Sequence, residues 1–174
     1  MQIVFEQPEH SGDIESLLDA AFGDKRSAKT VYRLREGVAP LRELCFVALE
    51  NGVLQGSIRY WPVTIGGTLP ALLLGPVAVI EERRSEGLGA VLIEHSLAQA
   101  ATLGHRIVLL VGDAPYYGRF GFRRDLTLDL GLPGPVDLER FLGFDLVPGA
   151  LSGVRGVVAR SPYAGAPDGT EALI

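Results

Sequence analysis

The order of elements along the chain predicts a mixed α/β fold of the α+β kind: one domain with a mostly antiparallel central sheet flanked by helices. Three observations carry this. The pair Asn51-Gly52 separates two strand-like runs, "ELCFVALE" and "VLQGSIRYWPV", and such a pair marks a two-residue hairpin because both turn residues need positive φ. A second turn, "GGTLP", leads into "ALLLGPVAVI", so the middle of the chain reads as a meander of three antiparallel strands. Finally, "RIVLLVGD" is continuously apolar, the texture of a central strand covered on both faces.

The remaining elements follow in order. Residues 2–6 alternate as a short strand, which Pro8 ends. "SGDIESLLDAAFG" places Ile14, Leu17, Leu18 and Ala21 on one helical face, with Asp13 and Glu15 in the first turn and Gly23 as the stop. "AKTVYRLREG" predicts a second helix ending at Gly37. After the meander, residues 89–103 read as a helix closed by Gly104. "APYYGRFGF" suggests a short helix and "RRDLTLDLG" an alternating strand. "PVDLERFLGF" reads as one or two helical turns from Asp137, "GVRGVVARS" as a last strand, and 161–174 as a loose tail beyond a domain over 1–160.

Composition narrows the function classes. The 174 residues suit one domain, which at this size buries roughly 70% of the surface its unfolded chain exposes. A formal net charge of −5 gives no field for a phosphate backbone, so nucleic acid is not an expected partner. Cys45, the single cysteine, lies in an apolar run and reads as a buried side chain. The start "MQIVFEQPEHSGD" lacks a signal-peptide pattern, and no run approaches the ~20 apolar residues of a membrane span. By elimination, a cytoplasmic placement away from membranes is expected.

The chemistry concentrates in "GPVAVIEERRSEGLGAVLIEH", residues 75–95. Val77 and Val79 belong to a strand, Arg84, Ser85, Glu86, Gly87, Leu88 and Gly89 to a turn, and a helix runs from Ala90. A helix start offers unpaired N–H groups and the positive end of the dipole, and glycines there let an anion approach the backbone. A lone G-x-G often does no more than relax a turn. Here Arg84 stands three residues before Gly87, giving Arg84-x-x-Gly87-x-Gly89. No Walker loop is present, and the third glycine of a dinucleotide fingerprint is replaced by Leu92.

These motifs resemble the GNAT superfamily of acyl-CoA-dependent N-acetyltransferases, and most closely its YhbS-like branch. R-x-x-G-x-G after "GPVAV" carries the resemblance together with "LLLGPVAV", "LVGDAPYYGRFGF" and "ERFLGFDLVPGALSGVRG". The resemblance implies the GNAT fold, with acetyl-CoA as co-substrate lying along Val77, Ala78 and Val79 and its pyrophosphate on the amides from Arg84 to Ala90. It makes Gly75-Pro76 a splay point, the Val77 N–H a donor to the thioester oxygen, and Tyr117, four residues before Gly121, the general acid for the CoA thiolate.

Two departures from the family pattern stand out. Where many members carry an asparagine, this chain has Asp113, which reads either as the base or as the cap of the turn "DAPYY". The strand "LPALLLGPVAV" holds no acid, so the base for the amine comes from elsewhere, through water or from solvent. Arg59 and Trp61, alternating on one strand, are candidates to face the acceptor. The histidines lack metal-ligand spacing, and no metal is expected. The expected reaction is direct acetyl transfer to a primary amine on a small molecule or peptide, in a ternary complex. The other class is a non-catalytic acyl-CoA sensor or interaction module. The C-terminal strand and tail suggest a possible homodimer.

Overall fold

The computed structural model describes residues 1–161. Its strands are β1 (Gln2–Phe5), β2 (Phe46–Glu50), β3 (Val53–Ile65), β4 (Leu69–Val79), β5 (Ile107–Val111), β6 (Leu130–Gly131), β7 (Phe141–Asp145) and β8 (Gly156–Arg160). The helices are α1 (Ser11–Phe22), α2 (Thr30–Arg33), α3 (Leu88–Thr102) and α4 (Ala114–Gly118). The sheet order is β1-β2-β3-β4-β5-β7, with β8 beside β3 and β6 beside β8. The pairs β1/β2, β2/β3, β5/β7 and β3/β8 are antiparallel, while β4/β5 and β6/β8 are parallel. This is the mixed, mostly antiparallel sheet that the sequence predicts. The chain packs as two compact units, and β3 and β4 each contribute to both.

The first unit comprises Met1–Ala28, Leu41–Tyr60 and Leu74–His105. Asn51 and Gly52 take φ 52 and 78, the conformation expected for the β2–β3 turn. The apolar face of α1, Ile14, Leu17 and Leu18, packs with Val47, Leu54 and Ala78. Leu92, Ile93, Leu97 and Ala100 are the buried apolar side of α3. Its close seat needs Gly56 on β3, where a Cβ would lie 3.1 Å from Leu92 and 3.2 Å from the Ala78 carbonyl. A buried 2.8 Å hydrogen bond between the Tyr60 and Ser96 hydroxyls ties β3 to the same helix.

The second unit comprises Lys29–Pro40, Trp61–Leu73 and the chain from Arg106 onward. Here β5 is fully buried over Ile107–Leu110, between β4 and β7. Trp61, Val63, Leu73, Ile107, Leu109, Phe141 and Val158 share one core. The second helix is shorter than its sequence suggests: α2 has four residues, and turns carry the chain on to Gly37. The carbonyls of Pro133 and Pro135 hold it from outside, accepting from Arg33 and Thr30.

Two further elements differ from expectation. "RRDLTLDLG" forms a 3-10 turn over Arg124–Thr127 and only two residues of strand, Leu130–Gly131. The helical turn buries the Thr127 hydroxyl, which donates at 2.7 Å to the Phe141 carbonyl, and leaves Leu128 65% exposed. Strand alternation would have put Leu128 inside. "PVDLERFLGF" makes one 3-10 turn, Leu138–Arg140, and then becomes β7. The exposed backbone edge of β5 takes Phe141–Asp145 as a ladder partner, and that pairing overrides the local helical pattern. The last strand is found as β8; of the expected tail, 162–174 lies outside the described residues.

Candidate active site

In the first unit the elements expected to bind an anion follow β4. Pairing of β4 with β5 covers Leu72 and Leu73, and Gly75, at φ 127, and Pro76 come next, where the sequence suggests a splay. Val77 and Val79 are half-buried and Ala78 is buried. The Ile80 N–H donates to the Gln55 carbonyl at 2.9 Å, and a 3-10 turn over Glu81–Arg83 opens the loop.

The two adjacent arginines of this loop have different partners. Arg83 pairs with Glu50, lies 3.5 Å from Glu86 and donates from Nε to Gln55 Oε1 at 3.2 Å, so it fastens the loop to the β2–β3 hairpin. Arg84 is exposed and has no ion pair among the described residues. Ser85 and Gly87 then turn left-handed, at φ 71 and 82, and Gly87 is the N-cap of α3. No side chain caps this helix and no acid occupies its first turn. Its leading N–H groups are therefore open to an anion, with Arg84 beside them in the chain and Leu88 buried as the anchor.

In the second unit Tyr117 sits on α4. Asp113 starts that helix, its Oδ2 accepting the Tyr116 N–H at 2.9 Å and its carbonyl the Tyr117 N–H at 2.9 Å. The Tyr117 ring lies against Gly112: a Cβ there would come within 2.5 Å of it. Tyr116 meets the ring edge-on at 5.1 Å between centroids, and Phe122 at 6.0 Å. Gly121, at φ 102, makes room for Phe144, which packs on Phe122 at 5.3 Å. Burial pushes the Tyr117 phenol up to about 12, with Tyr116 and Asp113 adding to the rise and Arg140 opposing it. At neutral pH the group holds its proton and is a donor.

Gly112 escaped the sequence reading, and its one signal was a glycine closing the apolar strand run. Gly112→Ala is expected to push the Tyr117 ring aside and lower kcat by up to about 100-fold, the scale for ~1 Å misplacement of a reacting group. Steady-state kinetics alongside circular dichroism separates this from misfolding. Asp113 is placed as the cap, and its side chain points back at its own helix. Asp113→Asn is expected to keep both stability and kcat, because asparagine caps as well as aspartate. A large fall in kcat would restore the role of base.

The other candidates have structural partners. Arg59 donates to both Glu6 oxygens at 2.9 and 3.1 Å and lies 3.6 Å from Glu15. Burial alone would lower its pKa, but the hydrogen bond and charge of Glu6 outweigh this and hold it above the usual value. Trp61 is 9% exposed in the second core, with the Arg35 guanidinium 5.5 Å from its ring centroid. Both members of the pair expected to face the acceptor therefore have partners within the protein. Burial raises the Cys45 thiol to about 12, which leaves no thiolate for a covalent relay. Among the described residues no group of three or more metal-ligating side chains is found, and no helix is long and apolar enough to cross a membrane.

Known proteins resemble this chain in sequence and in fold. The family model described as "Acetyltransferase (GNAT) domain" matches residues 7–124. The chain is 32% identical over 160 residues to the uncharacterized N-acetyltransferase YhbS of Escherichia coli strain K12, covering 91% of this chain and 95% of that protein. The crystal structure of Escherichia coli YhbS in complex with CoA superposes with a TM-score of 0.77 at 31% identity, over 91% of this chain and 88% of that one. A GNAT family acetyltransferase from Brucella melitensis, solved with acetyl-CoA, gives 0.69 at 30% identity over 92% and 96%. The chain belongs to the GNAT acetyltransferase family and is an acyltransferase enzyme.

Proposed function

We propose that this enzyme moves an acetyl group from acetyl-CoA to a primary amine by direct attack, with both substrates bound together. The observation that carries the reading is Tyr117, a phenol that burial keeps protonated and that Gly112, Tyr116 and Phe122 hold in place. Tyr117 supplies the proton that the departing sulfur takes. The uncapped start of α3, with Ser85, Glu86, Gly87, Leu88, Gly89 and Ala90, holds the pyrophosphate, and Arg84 adds a charge that no carboxylate of the described residues neutralises. Val77, Ala78 and Val79 offer backbone to the pantetheine arm, and the Val77 N–H serves as the oxyanion donor. That two relatives at 30–31% identity were solved with CoA or acetyl-CoA supports this choice of co-substrate.

The strand Leu69–Val79 contains no acid, which favours proton loss from the amine to water. Free thiol released from acetyl-CoA, measured across a panel of primary amines with acetyl-CoA binding followed by calorimetry, tests the reading. Amine-dependent release is expected. Binding of acetyl-CoA without release on any amine would overturn the primary amine as acceptor.

A further inference from the structure

The β5–β7 ladder ends at Val111 and Phe141, and one further hydrogen bond follows it. There the Gly112 N–H donates to the carbonyl of Arg140, the last residue of the 3-10 turn before β7, at 2.8 Å. The Tyr117 ring packs on Gly112, where a Cβ would come within 2.5 Å of it, so this bond sets the Arg140 backbone beside the residue that carries the ring. Its side chain is exposed and has no ion pair among the described residues. Glu139 precedes it in the chain and is exposed, while Asp137 and Asp113 are turned to backbone: Asp137 accepts from the Glu139 N–H at 3.1 Å and Asp113 from the Tyr116 N–H at 2.9 Å.

We propose that Arg140 is a positioning residue for the acid step, placed beside Gly112 so that its guanidinium stabilises the phenolate left when Tyr117 gives up its proton. The inference rests on the assignment of Tyr117 as the acid. In that step the bond from the amine nitrogen to the acyl carbon forms, the C–S bond breaks, and the sulfur keeps the electron pair and takes the Tyr117 proton. The proton lost by the amine passes to solvent, and solvent reprotonates the phenolate. The difficulty lies in the phenolate, whose formation burial, Tyr116 and Asp113 all oppose. Of the charged groups acting on Tyr117, Arg140 alone favours it.

The test is a mutant cycle on the full chain. Arg140→Gln is expected to lower kcat about 10-fold, the effect of one partly screened charge on a transition state, with KM for acetyl-CoA and amine unchanged. Arg140→Lys is expected to recover most of that loss, because the charge rather than the guanidinium fork is needed. In a Tyr117→Phe background, Arg140→Gln is expected to change nothing further, since no phenolate forms. A full 10-fold loss in that background, a rise in either KM, or unchanged kcat in Arg140→Gln alone would overturn the inference. Unchanged kcat in Tyr117→Phe itself would instead remove the assignment of the acid, and this inference with it.

Discussion

Tyr117→Phe is expected to lower kcat by about 10²- to 10³-fold, within the range that a positioned general acid contributes, while acetyl-CoA affinity stays within about twofold. The substitution removes one hydroxyl and keeps the ring, so the contacts with Gly112, Tyr116 and Phe122 survive. The pH profile gives the same group a second signature. With the phenol raised to about 12, it stays protonated as pH climbs through the ordinary tyrosine value. Activity is therefore expected to rise with pH as the amine loses its proton and to stay level past pH ~10, where an unshifted tyrosine would begin to fail. The stability linked to this group has the same sense: it is complete below the ordinary value near 10 and is lost as pH rises through the folded one. A descending limb near pH 8 in kcat, absent from Tyr117→Phe, would assign the acid a much lower pKa and contradict the burial argument.

Gly89→Glu is expected to weaken acetyl-CoA binding by more than about 100-fold, since like charges set against each other at an interface cost several kcal/mol. The variant discriminates well because its effect on folding has the opposite sign. Gly89 lies in the first turn of α3, where a carboxylate interacts favourably with the helix dipole, by about 0.3–1 kcal/mol. Glutamate also has the better helix propensity. Thermal denaturation should show a protein at least as stable as the wild type, and calorimetry should show one that no longer binds. Retained affinity would move the pyrophosphate away from this helix start.

Which features were legible beforehand follows from what each depends on. The Asn51-Gly52 turn, the Gly23 stop of α1 and the glycine before α3 are local demands on φ, and each was readable from a few residues. The buried strand β5 was readable because five consecutive apolar residues suit a strand covered on both faces. The segment from Arg123 to Gly131 misled because its alternation is real in sequence, yet a buried Thr127 hydroxyl needs the carbonyl of Phe141, fourteen residues later. At the site, "ERRSEG" holds two adjacent arginines, of which spacing to the glycines singles out Arg84 but says nothing of what either one pairs with. Their division into Arg83, tied to Glu50 and Gln55, and Arg84, left exposed, required β2 and β3 to be in place.

By itself the sequence determined the backbone chemistry of the site: a glycine-bearing entry into α3 with an arginine before it, and a tyrosine at set distance from Gly121. These are short-range properties, written in φ preferences, helix-start geometry and spacing. Only the tertiary structure decided how charges and rings are partnered. It turned Arg59 to Glu6, made Asp113 a cap, laid Tyr117 on Gly112 and bonded the Arg140 carbonyl to the Gly112 N–H. Each of those outcomes depends on which residues, distant in the chain or free to turn, meet once the sheet has paired, and local pattern carries no record of it.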